Sequence, residues 1–271
     1  MQKTLQSKSR YPYLEVKMFT TATAFPSYQE ALEFCGSNYS DNDIVDVVLK
    51  KTLEFIYTNP KPILDPDPIC IIAIAIMKAS QNGKKTVTVL DFGGACGLHF
   101  YLVKKIIKDI DIKWVVVETE EMICAAKETI KMDGLFFSSS INEAINIIGT
   151  FDVVHASGSV QYTPSPEETL ENLIEVAAPI MAINRLPLFT GERTVTVNTS
   201  KLSQHGPGPM PANIKDREIR VPVTLVNVGE LEKILLNKYS LESHFSSKNM
   251  GAKLGEHSIV GANLLLKRKN N

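Results

Sequence analysis

A carboxylate and three glycines lie close together in the segment Asp91-Phe-Gly-Gly-Ala-Cys-Gly97, at the end of the first predicted strand. Glycines let the backbone turn sharply and bring a ligand against bare amides at the N-terminus of the next helix. Phosphate sites use the same device, but the carboxylate of Asp91 would repel a pyrophosphate and would tolerate or favour a cationic group. The alternative is a tight strand-to-helix turn without a ligand. We expect ligand binding at this turn, by Asp91, Gly93, Gly94 and Gly97.

A second carboxylate, Glu118, ends the next predicted strand. At that position it can accept hydrogen bonds from both hydroxyls of a ribose. The alternative is a favourable charge at a helix N-terminus, because Glu120 and Glu121 follow it. The glycine spacing does not match the dinucleotide fingerprint G-x-G-x-x-G, because Phe92 stands where its first glycine would be. Together, the turn at Asp91 and the carboxylate of Glu118 favour ligand binding, and the glycine spacing argues against a dinucleotide.

Strands and helices that would position these residues alternate from Lys84 onward. Strand patterns are predicted at 86–91, 113–118, 135–138, 151–156 and 179–184, with helices ending near 107 and at 120–132, 142–148 and 165–177. Such repeats imply a parallel sheet with helices on both faces. A helix at 228–239 and strands at 241–246 and 258–267 follow. The predicted fold is therefore a doubly wound, mostly parallel Rossmann-like α/β sheet with an antiparallel C-terminal hairpin.

The N-terminal third lacks this alternation. Helices are predicted at 28–35, 44–57 and 69–81, after an arm at 1–25 and around a connector at 59–68. We expect two domains: an arm and helical lid at 1–83, and the ligand-binding domain at 84–271. The third helix is apolar almost all round, and it would pack on the sheet or form a dimer contact. Residues 190–222, rich in Pro, Gly and Thr, are predicted to form an irregular lid or binding loop.

Composition narrows the class of protein. A net charge of −1 gives no electrostatic footprint for nucleic acid or an anionic membrane surface, so neither is expected as a partner. No segment reaches the roughly 18 apolar residues of a membrane span, and residues 1–10 lack the apolar core of a secretory signal. The four cysteines are scattered without a C-x-x-C pair, which indicates no metal site and a reducing, cytoplasmic compartment.

Three stretches resemble motifs of class I S-adenosylmethionine-dependent methyltransferases. They are residues 91–97, Glu118 and Phe151-Asp-Val-Val154, which correspond to motifs I, II and IV. Motif I usually reads D/E-x-G-x-G-x-G; here Ala95 replaces the middle glycine and Gly94 adds one beside it. A narrower likeness, in Leu-Asp-Phe-Gly-Gly and in residues 155–162, is to poorly characterised methyltransferases often linked with polysaccharide or natural-product genes.

The resemblance implies S-adenosyl-L-methionine as the cofactor. Asp91 and Gly93 would lie beside its methionine portion, and Glu118 would hold the ribose. The adenine would be covered by Met122 or a neighbour such as Thr119, and its amine would meet Ser138 and Ser139. The remaining predicted cofactor contacts are Gly94, Gly97, His99, Ser157 and Gln161.

Methyl transfer to a hydroxyl requires alignment and a base. His155, at the end of the fourth strand, is the predicted general base, and the alternative is a structural histidine with its hydrogen bonds satisfied. His99 is the second candidate and is favoured as a wall of the cofactor site. Arg185, just past the fifth strand, is predicted to clamp an acidic substrate, unless it is a surface arginine.

We expect a methyltransferase that acts on a small molecule, by O-methylation of a sugar, a glycan precursor or a secondary metabolite. The run Asn/Asp-Pro-Pro-Tyr is absent after the fourth strand, which argues against methylation of a base amine. The alternatives are a nucleotide-dependent oxidoreductase and a non-catalytic cofactor-binding or scaffolding protein with a methyltransferase fold. A homodimer is left open.

Overall fold

The structure is a computed structural model that describes residues 23–58 and 66–270. Most of the predicted arm and connector therefore lies outside the described residues. The helices are α1 Tyr28–Cys35, α2 Asn42–Thr58, α3 Pro66–Ala79, α4 Leu98–Ile106, α5 Glu120–Thr129, α6 Ile141–Ile148, α7 Pro166–Glu175 and α8 Val228–Lys238. The strands are β1 Thr86–Phe92, β2 Asp111–Val117, β3 Leu135–Ser138, β4 Val153–Ser157, β5 Ile180–Phe189, β6 Thr194–Lys201, β7 Glu218–Leu225, β8 Tyr239–Leu254 and β9 His257–Arg268.

A seven-stranded sheet in the order β3-β2-β1-β4-β5-β9-β8 forms the centre of the molecule. Strands β1 to β5 are parallel, whereas β9 runs antiparallel to β5 and β8 antiparallel to β9. The predicted mostly parallel α/β sheet with a C-terminal hairpin is confirmed. Because the chain builds outward from β1 to β3 and then returns to β4, the topological switch point lies between β1 and β4.

Helices cover both faces of this sheet, as the alternating strand and helix patterns predict. The buried side chains of α2 to α5 share one core with alternate residues of β1, β2 and β4. Those of α6, α7 and α8 form a second core with the residues between them. Helix α3 packs against β4 and β5, and Ile69, Ile72 and Ile76 are at most 1% exposed. Packing on the sheet therefore explains the apolar residues of one face, whereas Ile74 and Met77 of the same helix remain 43% and 59% exposed.

The irregular structure predicted for residues 190–222 is wrong. Strand β6 lies wholly within this segment and pairs antiparallel with β7, which begins at Glu218. Gly and Pro are concentrated at 206–211, between the two strands, whereas three of the four threonines of the segment lie within β6. Strand β5 also continues to Phe189, beyond the predicted end at residue 184, through a bulge between Ile183 and Leu186.

The N-terminal segment packs against the two-stranded β6–β7 sheet, which we call the ribbon. Phe25 forms an isolated antiparallel bridge with Val195, and α1 packs along β7. The hydroxyl of Ser37 donates to the carbonyl of Arg220. Two parts of the chain that are distant in sequence are thus joined into one surface layer. Within the described residues, none of the helices is long and apolar enough to cross a lipid bilayer.

The end of α7 generates a stability prediction. Ala177 is exposed and has a φ of 63°, in the left-handed region that follows many helices. We expect Ala177→Gly to raise the free energy of unfolding by about 0.5–1 kcal/mol, because glycine relieves a cost of about 1–2 kcal/mol but gains entropy in the unfolded chain. Chemical denaturation measures the change. Ala178→Gly is the matched control: Ala178 is fully buried, so this variant should lose stability. Equal destabilisation by both variants would contradict the prediction.

Candidate functional site

The carboxyl ends of four parallel strands meet at the switch point. Phe92 of β1 is in register with Val117 of β2 and with Ala156 of β4, and Ser157 is in register with Asn184 of β5. These carboxyl ends, with the turns that follow them, form one rim of the sheet, which we call the ligand edge, or the edge. It brings together most of the predicted site residues: Asp91, Gly93, Gly94, Gly97, His99, Glu118, His155, Ser157 and Arg185. Open α/β sheets bind ligands at this location.

The glycine turn between β1 and α4 leaves no space for side chains. A Cβ at Gly93, whose φ is 70°, would overlap the side chain of Ser159. A Cβ at Gly94 would overlap the carboxylate of Asp91, and one at Gly97 would press on Leu135. Ala95 has a φ of 47°, so an alanine adopts the left-handed conformation where motif I usually has glycine. The unusual glycine order thus still produces a tight turn ahead of α4.

Asp91 is buried below this turn with one oxygen bonded and one without a partner. Its side chain is 1% exposed, and Oδ2 accepts a hydrogen bond of 3.0 Å from Nε1 of Trp114. Oδ1 has no hydrogen-bond partner among the described residues and lies 4.0 Å from Nε2 of His155. Burial raises the pKa of Asp91 to about 7, and the charge of Glu118 adds to this effect. Oδ1 of Asp91 can therefore accept a hydrogen bond from a ligand.

His155 is fully buried beside Asp91 and contacts a second histidine. Its Nδ1 lies 3.3 Å from the carbonyl oxygen of Ala182, and its Nε2 lies 3.0 Å from Nδ1 of His99. Burial lowers the pKa of His155 to about 3 and holds the pKa of His99 well below its ordinary range. A ring with no exposed surface and with both nitrogens engaged cannot reach an acceptor. The structure therefore does not place His155 where a general base must lie.

Glu118 lies at the end of β2 and is partly exposed. Its Oε2 accepts from the backbone amide of Thr119 at 2.7 Å, and the amide of Ala95 also donates to this carboxylate. Burial nonetheless raises the pKa of Glu118 above its ordinary value. The backbone amide of Ala95 thus links the carboxylate that follows β2 to the glycine turn that follows β1.

The serines after β3 hydrogen-bond within their own turn. Ser138 is fully buried, and its hydroxyl lies 2.7 Å from the carbonyl of Ser140 and 3.0 Å from Oε2 of Glu143. Ser139 is exposed and also donates to Glu143. These hydrogen bonds lower the pKa of Glu143. The structure thus gives Ser138 no free hydroxyl for an adenine amine, and it presents Glu143 as the acidic group of this turn.

Met122 lies in the core and not over the edge. Its side chain is 3% exposed, and its Sδ lies 3.4 Å from Sγ of Cys96. Thr119, which precedes α5, is partly exposed and caps the helix by accepting from the amide of Met122. Of the two residues predicted to cover an adenine, the structure leaves Thr119 in position to contact a ligand and places Met122 beneath it.

Residues after β4 and β5 complete the edge. Nε of Arg185 donates to Oγ of Ser157 at 3.1 Å, and Nη2 donates to the carbonyl of Ser157 at 2.9 Å. Arg185 has a φ of 53° at the bulge of β5, where its amide donates to Oδ1 of Asn263. Gln161 is 5% exposed, and its Oε1 has no partner among the described residues. Arg185 is thus fixed in place, and Gln161 supplies a second buried acceptor without a donor.

Three aromatic residues form a cover over this edge; two of them lie in segments that the sequence marks as candidate binding segments, and sequence reasoning missed the third, Tyr39. The ring of Tyr39, from the loop before α2, lies 4.8 Å from the ring of Tyr162 and 5.7 Å from that of His205. The carbonyl of Tyr162 accepts a hydrogen bond of 2.7 Å from the hydroxyl of Tyr28. Burial raises the pKa of Tyr39 well above its ordinary value, and the charges of Arg185 and Glu118 both act on this hydroxyl. We call Tyr39, Tyr162 and His205 the aromatic cover.

The described part of the chain contains no group of three or more His, Cys, Asp and Glu side chains that could hold a metal ion. The chemistry of the edge rests on acceptor atoms: two partly or fully buried carboxylates, a buried amide oxygen and two neutral imidazoles. Such a set binds and orients a ligand that carries donors and positive charge.

Comparison with known proteins identifies structural similarity at low sequence identity. No family model and no curated protein match this sequence. Among solved structures, the chain is similar to an S-adenosylmethionine-dependent methyltransferase from Clostridium acetobutylicum ATCC 824, at 11% identity over 80% of this chain and 96% of that chain, with a TM-score of 0.48. It is also similar to the N-terminal domain of EvdMO1 with SAH bound, at 13% identity over 76% of this chain and 83% of that chain, with a TM-score of 0.47. A third similar structure is that of CalS10, an amino pentose methyltransferase from Micromonospora echinaspora, at 12% identity over 75% of this chain and 91% of that chain, with a TM-score of 0.44. With TM-scores of 0.44 to 0.48, these likenesses assign this chain neither a reaction nor an acceptor.

Proposed function

We propose that this chain is an S-adenosylmethionine-dependent methyltransferase that acts on a small molecule. The observation that carries the proposal is the carboxylate of Asp91, which is 1% exposed and whose Oδ1, directly below the glycine turn, has no hydrogen-bond partner in the described part of the chain. A buried acceptor in this state is costly unless a ligand supplies the donor. Its position at the switch point makes a bound cofactor the source of that donor.

The residues of the edge fit this cofactor. The ammonium group of its methionine portion carries the N–H donors that Oδ1 of Asp91 and Oε1 of Gln161 lack. Glu118 offers acceptor capacity to the ribose hydroxyls, and the turn at Gly93 and Gly94 presents backbone without side chains. When bound, the cofactor supplies a methyl group activated by a sulfonium.

A nicotinamide cofactor fits this edge less well. Glu118 already raises the pKa of Asp91, so the two carboxylates repel each other at this point. A pyrophosphate would add further negative charge beside them, whereas a cationic ligand reduces the repulsion. The electrostatics of the edge therefore support the methyltransferase over the oxidoreductase.

The residues of this chain would hold the reactants and exclude water. The aromatic cover closes over the carboxyl ends of the strands, and water exclusion strengthens the electrostatic contacts within. We assign Arg185, fixed by Ser157, to the acceptor side, where its charge would hold an anionic or polar group of the substrate. This retains the role predicted for Arg185 from the sequence.

We propose a hydroxyl-bearing acceptor such as a sugar, a glycan precursor or a secondary metabolite. The cover contributes phenol, imidazole and amide groups, since Nδ2 of Asn198 lies 3.4 Å from the hydroxyl of Tyr162. Groups of this kind hydrogen-bond polyhydroxylated ligands and stack on their apolar faces. O-methylation follows from that chemistry as the preferred reaction.

The cofactor assignment is tested by calorimetric titration with S-adenosylhomocysteine. We expect micromolar binding by the native protein, weakened at least about tenfold in Asp91→Asn and in Glu118→Gln, because each variant removes one charged acceptor. Glu121→Gln is the matched control, since Glu121 is exposed at the start of α5 and should bind normally. A native protein that melts cooperatively but does not bind would rule out the proposed function.

The raised pKa of Asp91 predicts a pH dependence of cofactor binding. Its folded value of about 7 lies above the ordinary 3.8, so the free site holds a proton below neutral pH. An ammonium ligand favours the ionised carboxylate, and binding must then release that proton. Affinity for S-adenosylhomocysteine should therefore rise by up to about tenfold per pH unit from roughly pH 5.5 to 7 and level off above. Asp91→Asn should flatten this slope; an equally steep slope in that variant would contradict the assignment.

A further inference from the structure

Hydrogen bonds link the two histidines at the edge into a chain with one fixed end. The chain begins at the carbonyl of Ala182, passes through both nitrogens of His155 and ends at His99. A backbone carbonyl can only accept. Nδ1 of His155, 3.3 Å away, must carry a proton if this contact is a hydrogen bond and not a repulsion between lone pairs.

A proton on Nδ1 of His155 determines the state of the nitrogens that follow. A neutral imidazole has one N–H, so Nε2 of His155 is then an acceptor. Burial keeps the ring neutral, because it lowers the pKa of His155 to about 3. Nδ1 of His99, 3.0 Å from that Nε2, must donate to it. Nε2 of His99 is left without a hydrogen.

In the opposite arrangement, His155 carries its proton on Nε2, and its bare Nδ1 accepts a hydrogen bond from Asn184. Nδ2 of Asn184 lies 3.5 Å from Nδ1 of His155 and would have to donate to it, which would turn Nε2 of His99 into a donor. That arrangement sets the lone pair of Nδ1 against the closer carbonyl of Ala182. The shorter contact and the avoided repulsion favour the order that starts from Ala182.

Nε2 of His99 ends the chain without a hydrogen-bond partner among the described residues. The residue is partly exposed, and this atom is not among the buried polar atoms without a partner, so it keeps some contact with solvent. The ring lies at the start of α4 and contacts the ring of His155 in β4; its pKa is lowered mainly by burial, and the charge of Arg185 adds to this effect. His99 thus lies toward the ends of β4 and β5, where the proposed function places the acceptor.

We propose that His99 is the proton acceptor for the group that is methylated, and that His155 and the carbonyl of Ala182 fix it in that state. The inference rests on the proposed function. The acceptor oxygen attacks the methyl carbon while its proton passes to Nε2 of His99. The bond between methyl and sulfur breaks, and its electron pair goes to sulfur. The positive charge of the sulfonium disappears as the imidazolium forms, so the site keeps its net charge, and the proton later leaves to water.

His99 would touch the substrate, whereas His155 is a positioning residue. Two-bond ¹⁵N–¹H spectra separate these roles, because they report which nitrogen of each histidine carries the proton, and the chain has five histidines. In the free protein and with saturating S-adenosylhomocysteine, we expect His99 to be protonated at Nδ1 and bare at Nε2. A proton on Nε2 of His99 in the native protein would overturn the proposal.

Substitutions at His155 test its positioning role. His155→Gln places an acceptor oxygen near the original Nε2 and should preserve the tautomer of His99. His155→Phe removes that acceptor and should produce a mixture of tautomers. An unchanged single tautomer of His99 in His155→Phe would show that His155 does not fix it, which also overturns the proposal.

A chemical probe tests which side of the cofactor His99 faces. Diethyl pyrocarbonate modifies bare, accessible imidazole nitrogens, and mass spectrometry locates the modified residue. With saturating S-adenosylhomocysteine, His99 should react as fast as in the free protein, while the fully buried His155 stays unmodified and the exposed His257 reacts in both states. Loss of the His99 reaction in the complex would place His99 against the cofactor and overturn its role. If the NMR chemical shifts of the backbone amides do not change when S-adenosylhomocysteine is added, the protein does not bind it, and the proposed function itself is rejected.

Discussion

The hydrogen bond from Trp114 to Asp91 is the interaction on which the ligand edge depends. A carboxyl group with 1% exposure must be met by donors or lose its charge. An indole has one N–H, so Trp114 satisfies Oδ2 and leaves Oδ1 for another donor. The bonded oxygen Oδ2 also lies against Gly94, where it leaves no space for a side chain. The buried contact thus orients the carboxylate, leaves Oδ1 for another donor and requires glycine in the turn above it.

Two polar side chains lie side by side on one face of the sheet at this level. Asp91 is in register with His155, on the face that α4 covers, and the apolar Val116 of β2 and Ala182 of β5 flank the pair. The alternation of strand side chains puts Trp114 on the same face. Elsewhere this face is an apolar core, so the pair concentrates polarity where the strands end. Polar groups in such surroundings interact more strongly with one another than they would in water.

The sequence predicts the sheet well because apolar strand patterns and glycine breaks are local signals. The turn at Asp91 and the C-terminal hairpin belong to this class. Burial at the strand ends is not local: His155 and Ser138 lie at or near the ends of predicted strands, yet each is fully buried in the folded protein. Met122 follows the same rule, since its place in the core depends on Cys96 from another strand-to-helix unit. No sequence signal pointed to Tyr39, because its ring contacts Tyr162 and His205, which are distant in the sequence.

Hydrogen bonds of the aromatic cover and of the neighbouring ribbon join residues that lie far apart in the sequence. The hydrogen bonds from Tyr28 to Tyr162 and from Ser37 to Arg220 connect positions separated by 134 and 183 residues. Contacts of such long separation form late, because the entropy of closing the loop must be overcome first. Strands β1 to β5 pair with neighbours that are closer in sequence. On the ribosome, strands β1 to β5 can therefore pair with one another while β7 has yet to emerge, whereas the surface layer of α1 and the ribbon is completed only after β7 is synthesised.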